Sequence, residues 1–359
     1  MTPNRHRGRS GWVGFTFLGL SLLLALGTLF LAMTDRSLAD LTDLELFQND
    51  DDPPDNVATL NNLTPVATPT PEPAPLPEVD PDIELTARSA FMIHPASDTV
   101  LFEQEALLPL QPASTAKIFT ALVVLDYASP EEVFEVAESD VVDPVAESAM
   151  GLEAGDRVTV HDLLVGLMLP SGNDAANTLS RTIGARIDGA EDESNEDRFI
   201  REMNEIAVEM GLEDTTLRHA AGHDHEEQRV TAREMAIAAA AVLESPSLST
   251  IVAMHRANIK VGGPNARVLT VDNTNELLVH EDIYGIKTGT TVEAGECLIV
   301  ASRHGDTTIV TVILGSDDRY GDARTLLDLP EPPEPEDNDE PDPEHTEPVD
   351  EPAENAQSG

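Results

Sequence analysis

Lysine is almost missing from this chain: there are three among 359 residues, Lys117, Lys260 and Lys287. Lys and Arg together number 21 against 67 acidic residues, a formal net charge of -46. A chain so negative cannot neutralise a run of phosphates, which excludes nucleic acid as a partner. There is one cysteine, Cys297, so neither an intrachain disulfide nor a cysteine-based metal site can form. Its setting, Cys297-Leu298-Ile299-Val300-Ala301, predicts a buried structural thiol. No Gly-x-Ser-x-Gly occurs, so a hydrolase of the Ser-His-Asp type lacks its usual marker.

The acidity is unevenly placed. Residues 330–359 hold 12 acids and residues 40–82 hold 11, with no Lys or Arg in either stretch. Between Ile83 and Asp328 there remain 43 acids and 17 Lys or Arg, or about -26. Acid excess on this scale resembles proteins that work in high salt, where counterions screen self-repulsion. A genome favouring Arg over Lys accounts for the lysine count but not for the acids.

Arg5, Arg7 and Arg9 precede 22 mostly apolar, uncharged residues, Trp12 to Met33. As a helix this run spans roughly 33 Å, enough for a bilayer core. Residues 1–39 are therefore expected to form a basic flank and a transmembrane anchor. The alternative is a signal peptide cleaved after Ser37-Leu38-Ala39. Either sends the rest of the chain across the membrane with the arginines inside. Residues 40–82 turn Pro/Thr-rich and read as a disordered tether; residues 330–359, acidic and Pro-rich, read as a disordered tail. Residues 83–329 suffice for one large domain.

Within that domain, Ala87 to His94 and Thr99 to Phe102 read as strands joined by a turn at Pro95-Ala96-Ser97-Asp98. Lys117 to Tyr127, Val158 to Leu169, Arg198 to Met210, Thr231 to Glu244 and Asp322 to Leu327 read as helices. Another starts at Asn173, just after Pro170 has stopped its predecessor. Cys297 to Arg303 and Thr307 to Leu314 alternate about a Gly-Asp turn, as a hairpin does. Strands at both ends with helices between them imply an α+β arrangement, a sheet closed by the two ends of the domain.

Two of the three lysines sit in short motifs. Ser114-Thr115-Ala116-Lys117 is followed by Ser171-Gly172-Asn173 and then by Lys287-Thr288-Gly289. An SxxK, an SxN and a KTG in that order mark serine enzymes that acylate on penicillin or on D-alanyl peptides. Ser114 falls at a helix start with Lys117 one turn later on the same face. A serine hydroxyl needs a base to become a nucleophile. Lys117 meets that need if burial and the neighbouring Lys287 lower its pKa. Lys287 is expected to attract a substrate carboxylate, with Thr288 bonding to it. Ser171 is placed to relay a proton to a leaving amine, and Asn173 to offer its amide to the substrate backbone.

With these motifs in order, the chain resembles the serine-type D-alanyl-D-alanine carboxypeptidases, the low-molecular-mass penicillin-binding proteins. The likeness also takes in Ala149-Met150-Gly151-Leu152, Gly155-Asp156-Arg157-Val158, Thr231-Ala232-Arg233 and Asn273-Thr274-Asn275. It implies a β-lactamase/transpeptidase-like fold, a five-stranded antiparallel sheet flanked by helices with a helical subdomain. By the same resemblance Ser114 is the nucleophile, Lys117 its base, and Ser171 and Asn173 the facing wall. Lys287, Thr288 and Gly289 line the carboxylate side, and the N–H groups of Ser114 and Thr290 form the oxyanion hole. It implies no metal or cofactor, with β-lactams as covalent inhibitors and peptidoglycan stem peptides as substrate. The place of action it implies is the extracytoplasmic face of a bacterial cytoplasmic membrane. A D,D-endopeptidase cutting crosslinks is the alternative within the family. A β-lactamase would need a glutamate to position a deacylating water, sought at Glu202, Glu205 or Glu209. A catalytically silent β-lactam-sensing or wall-binding module is the alternative outside enzymes. The segment that in relatives reads Asn-Pro-x-Gly-Leu is here Ala220-Ala221-Gly222-His223. With His219, Asp224 and His225 it forms a cluster read as loop histidines rather than a metal site.

Overall fold

A computed structural model describes residues 75–330. The expected anchor over 1–39, most of the tether and the acidic tail lie outside the described residues. The folded chain begins ahead of Ile83, because Leu76 and Val79 of the supposed tether pack against the core beneath it.

Nine strands and seven α-helices follow one another within these residues. β1 (Ser89–His94) and β2 (Thr99–Gln104) pair at one edge of a five-stranded antiparallel sheet. The other members are β7 (Ile283–Thr291), β8 (Gly295–His304) and β9 (Thr307–Ser316), giving the order β2-β1-β9-β8-β7. The hairpin expected around Gly305-Asp306 is present, with His304 opposite Thr307. Cys297, Ile299, Ala301, Val310, Val312 and Leu314 face one core, while Leu298, Val300, Ile309 and Ile313 face the other. Successive residues of a strand point to opposite faces, so a sheet covered on both sides needs these unbroken apolar runs.

The larger core joins the sheet to a helical body: α1 (Lys117–Tyr127), α2 (Val160–Met168), α3 (Asn173–Gly184), α4 (Asn195–Glu209), α5 (Ala232–Glu244) and α6 (Pro246–Val252). α1 lies at its centre, with seven buried residues, Lys117 to Ala121 plus Val123 and Val124. The smaller core is closed by α7 (Arg319–Leu327), which begins three residues before the expected Asp322 because Asp318 caps the Gly321 N–H. β3 (Val133–Glu135) and β4 (Arg157–Thr159) form a small two-stranded antiparallel sheet, and β5 (Arg256–Val261) and β6 (Arg267–Asp272) a hairpin. The helix expected from Val158 therefore starts at Val160: pairing with β3 holds Val158 and Thr159 extended, and Thr159 caps the helix.

Candidate active site

A 3-10 turn over Ala113–Ala116 runs straight into α1 and places Ser114 one turn ahead of Lys117. Lys117 is fully buried, and its Nζ makes three contacts: Ser114 Oγ at 2.9 Å, Asn173 Oδ1 at 2.7 Å and the Ala221 carbonyl at 2.9 Å. An amide oxygen and a carbonyl can only accept, whereas a hydroxyl can also donate. A neutral amine satisfies all three, giving two hydrogens to the acceptors and taking the Ser114 proton on its lone pair. Burial lowers the Lys117 pKa to about 7 against the opposing pull of Asp174 and Glu147.

Lys287, on β7, is also buried, and burial, Lys117 and Arg319 push its pKa well below the ordinary value. Lys117 contributes to that shift, and two amines so placed oppose each other's protonation. Lys287 donates to the Thr288 carbonyl at 2.9 Å. The standing cation on this wall is Arg319, which donates to the Gly289 carbonyl and to Thr290 Oγ1, both at 2.8 Å.

Two close backbone approaches shape the surroundings of Ser114. A Cβ on Gly289 would lie 2.7 Å from the Ser114 nitrogen, so only glycine lets β7 pass in front of that N–H. A Cβ on Gly222 would lie 1.9 Å from the Ala113 carbonyl oxygen, so the 219–225 loop is pressed against the residue before Ser114. Ala113 (φ 48°) and Ser171 (φ 62°) are both left-handed without being glycine, and both adjoin the site. Ser171 Oγ is buried with no hydrogen-bond partner among the described residues. Thr288 Oγ1 bonds to Thr274 Oγ1 at 2.6 Å.

Ser114, Lys117 and Asn173 are thus joined directly, and Lys287 faces them from the sheet. Four further residues had no motif to announce them. Asp174, almost fully buried, accepts from the N–H groups of Met150, Gly151, Leu152 and Ala175 and ties their loop to the start of α3. Glu147 and His223 both contact the Asn173 amide nitrogen, at 2.7 and 2.9 Å. Arg319 is the fourth. His219 and His223 lie on a loop, as expected, and stack on each other at 4.2 Å, with His223 against Asn173, the partner of Lys117. His225 turns away and accepts from the Glu227 N–H. Among the described residues no three His, Cys, Asp or Glu come together as a metal site. The glutamates sought for a deacylating water lie on α4, where Glu205 pairs with Arg201. A cavity of about 410 Å³ lined by His94, Leu243 and Thr307 lies away from the motif residues.

Residues 76–318 match the family described as D-alanyl-D-alanine carboxypeptidase. The chain belongs to that family. Among curated members it is similar to D-alanyl-D-alanine carboxypeptidase DacF of Bacillus subtilis, 28% identical over 250 residues, covering 68% of this chain and 61% of the relative. The carboxypeptidase of Streptomyces sp. K15 is 31% identical over 240 residues, covering 65% of this chain and 81% of the relative. DacC of Escherichia coli is 30% identical over 259 residues, covering 67% of this chain and 60% of the relative. The chain thus spans about three fifths of the Bacillus and Escherichia relatives. The crystal structure of the Streptomyces K15 DD-transpeptidase has a TM-score of 0.65 and 29% identity, covering 70% of this chain and 98% of that one. The fold is the penicillin-binding one that the motifs imply.

Proposed function

We infer that this carboxypeptidase-family protein hydrolyses the terminal D-alanine from peptidoglycan stem peptides through an acyl-enzyme on Ser114. The observation that carries the reading is the environment of Lys117: a buried amine, held near neutrality, with one hydroxyl and two obligate acceptors around it. Neutral Lys117 takes the Ser114 proton as Oγ bonds to the carbonyl carbon of the D-Ala–D-Ala peptide bond. The carbonyl electron pair moves to oxygen, where the N–H groups of Ser114 and Thr290 meet the charge. As the tetrahedral centre collapses the C–N bond breaks. The proton on Lys117 passes by way of the Ser171 hydroxyl to the leaving amine, and D-alanine departs. Water then adds to the ester, Lys117 again accepts the proton, and the shortened peptide leaves Ser114 free. Lys287 and Arg319, with Thr288 and Thr290, receive the terminal carboxylate.

A β-lactam meets the same nucleophile. Its leaving nitrogen stays attached to the acyl group, so the adduct blocks the site and the drug acts as a covalent inhibitor. The substrate lies outside the cytoplasmic membrane, and the basic flank followed by Trp12 to Met33 supports delivery there, as an anchor or as a signal peptide. The test is mass spectrometry of monomeric and crosslinked muropeptides after incubation with the full chain. Loss of one D-alanine from pentapeptide monomers, absent with Ser114→Ala, is the expected result. Cleavage of crosslinks with untouched monomers would make the protein an endopeptidase instead.

A further inference from the structure

The 219–225 loop belongs to neither helix nor strand, yet it carries an acceptor that Lys117 uses. The Ala221 carbonyl takes a hydrogen from Lys117 Nζ at 2.9 Å and lies 3.5 Å from Ser114 Oγ. A loop in that position has to hold its shape. Gln228, a buried residue, spans it: its amide oxygen accepts from the N–H groups of Arg218 and His219, at 3.1 and 3.2 Å. Its amide nitrogen donates to the His223 carbonyl at 2.7 Å. Gln111, shortly before Ser114 in the chain, donates to the His225 carbonyl at 2.6 Å.

Asp224 ties this loop to the sheet. Its Oδ1 accepts from the Thr291 hydroxyl at 2.5 Å and its Oδ2 from the Glu293 N–H at 3.2 Å. Thr291 is the last residue of β7, and Val292 beyond it is 94% exposed, so packing does not hold the tip of that turn. Gly289, on the same strand, passes the Ser114 nitrogen. Between Gly289 and Thr291 stands Thr290, whose N–H meets the oxyanion in the reaction inferred above.

These contacts close a ring. It runs from Ser114 through Lys117, the Ala221 carbonyl and Asp224 to Thr291, and returns along β7 to Gly289 beside Ser114. Asp224 is exposed, so its part in the ring is the two bonds and not packing. Bonds to a carboxylate are stronger than those between neutral groups.

We propose that Asp224 is a positioning residue for acylation: by gripping Thr291 and the Glu293 N–H it fixes the Thr290 end of β7 against the loop whose carbonyl holds Lys117. This rests on the function inferred above. Without that grip every reacting group is still present, but the oxyanion donor and the base no longer keep a fixed separation. The loss falls on the chemical step. The carboxylate side of the site is fastened separately, Thr288 to Thr274 and Arg319 to the Gly289 carbonyl.

The test is saturation kinetics of labelling by a fluorescent penicillin, which separates the noncovalent dissociation constant from the acylation rate constant. Asp224→Ala should lower the rate constant about thirtyfold, as a misplacement of about 1 Å can, and leave the dissociation constant within about threefold. Asp224→Asn should recover the rate: its amide oxygen can accept from the Glu293 N–H while its nitrogen donates to Thr291 Oγ1. Thr291→Val should be as slow as Asp224→Ala, and the double variant no slower than the slower single one, because both remove one shared bond. Circular dichroism checks the fold. Should Asp224→Ala fold poorly, Thr291→Val and Asp224→Asn decide the same question. An Asp224→Ala protein acylating within about threefold of wild type, a loss carried by the dissociation constant, or an Asp224→Asn protein as slow as Asp224→Ala would each overturn the proposal. Wild-type protein that takes no label would sink the functional reading itself; labelled wild type with an unimpaired Asp224→Ala sinks the positioning role alone.

Discussion

Gly289 runs so close to Ser114 that a single methyl group on it would sit 2.7 Å from the serine's amide nitrogen. That proximity puts the KTG strand and the Ser114 N–H on the same small volume. Gly289→Ala should displace one from the other and lower acylation by about 10²–10³-fold, as removal of an oxyanion donor does. Stopped-flow acylation by a fluorescent penicillin measures it, with circular dichroism to show that the fold persists. Acylation within a few-fold of wild type would separate the strand from the oxyanion site.

Lys117→Arg keeps a positive charge yet should lose acylation by about 10²–10⁴-fold, because a guanidinium cannot be deprotonated to act as a base. Labelling of this variant beside wild type and Ser114→Ala checks it. Near-normal labelling would oblige another group to be the base.

The acylation rate should rise with pH through about 7, where Lys117 loses its proton, and level off above. The sign for stability is the same. The native pKa lies below the unfolded value of 10.5, so between about 7 and 10.5 the unfolded chain holds a proton that the native one lacks. Stability contributed by this group rises with pH across that window and is lost as pH falls towards the native pKa. Rate–pH profiles and urea titrations at several pH values test the two halves separately. An acylation limb near pH 10 would mean that burial does not set this amine.

Asp174→Asn should act twice. Its Oδ2 accepts from Gly151 and Leu152, and an amide nitrogen facing those two donors would leave both unpaired, at a cost of about 2–5 kcal/mol. Removing its negative charge, which raises the Lys117 pKa, should also move the acylation limb to lower pH. A variant as stable as wild type in urea would show that the 147–152 loop is held by something else.

Self-repulsion at about -26 between Ile83 and Asp328 should be relieved by salt. The melting temperature is expected to climb from low to molar NaCl. A flat or falling trend would leave genome composition as the source of the acids.

Local features of this fold were legible because the causes are local. Ser114 and Lys117 are one helical turn apart, so their meeting follows from helix geometry alone. The β8–β9 hairpin announces itself through an apolar alternation about Gly305-Asp306. The β5–β6 hairpin did not, since Arg256, Asn258 and Lys260 on its outer face dilute the apolar signal of the buried Ile259 and Val261. β3 and β4 have three residues each and exist through their mutual pairing. The unannounced site residues share one property. Glu147 meets Asn173 across 26 positions, His223 meets it across 50, and Arg319 reaches Thr290 across 29. No periodicity records contacts of that range; only the folded backbone brings them together.

β9 lies between β1 and β8, so the last strand made is the one that closes the sheet. Until Thr307 to Ser316 arrive, β1–β2 and β7–β8 are two separate hairpins with open edges, and pairing across the gap joins residues more than two hundred positions apart. Such long-range closure is slow compared with helix formation. Lys287 and Gly289 belong to the side that waits, while Ser114 and Lys117 belong to the helical side. Ser114 therefore has Lys117 beside it as soon as the helix forms, but meets the Gly289 strand only once β9 has joined the two hairpins.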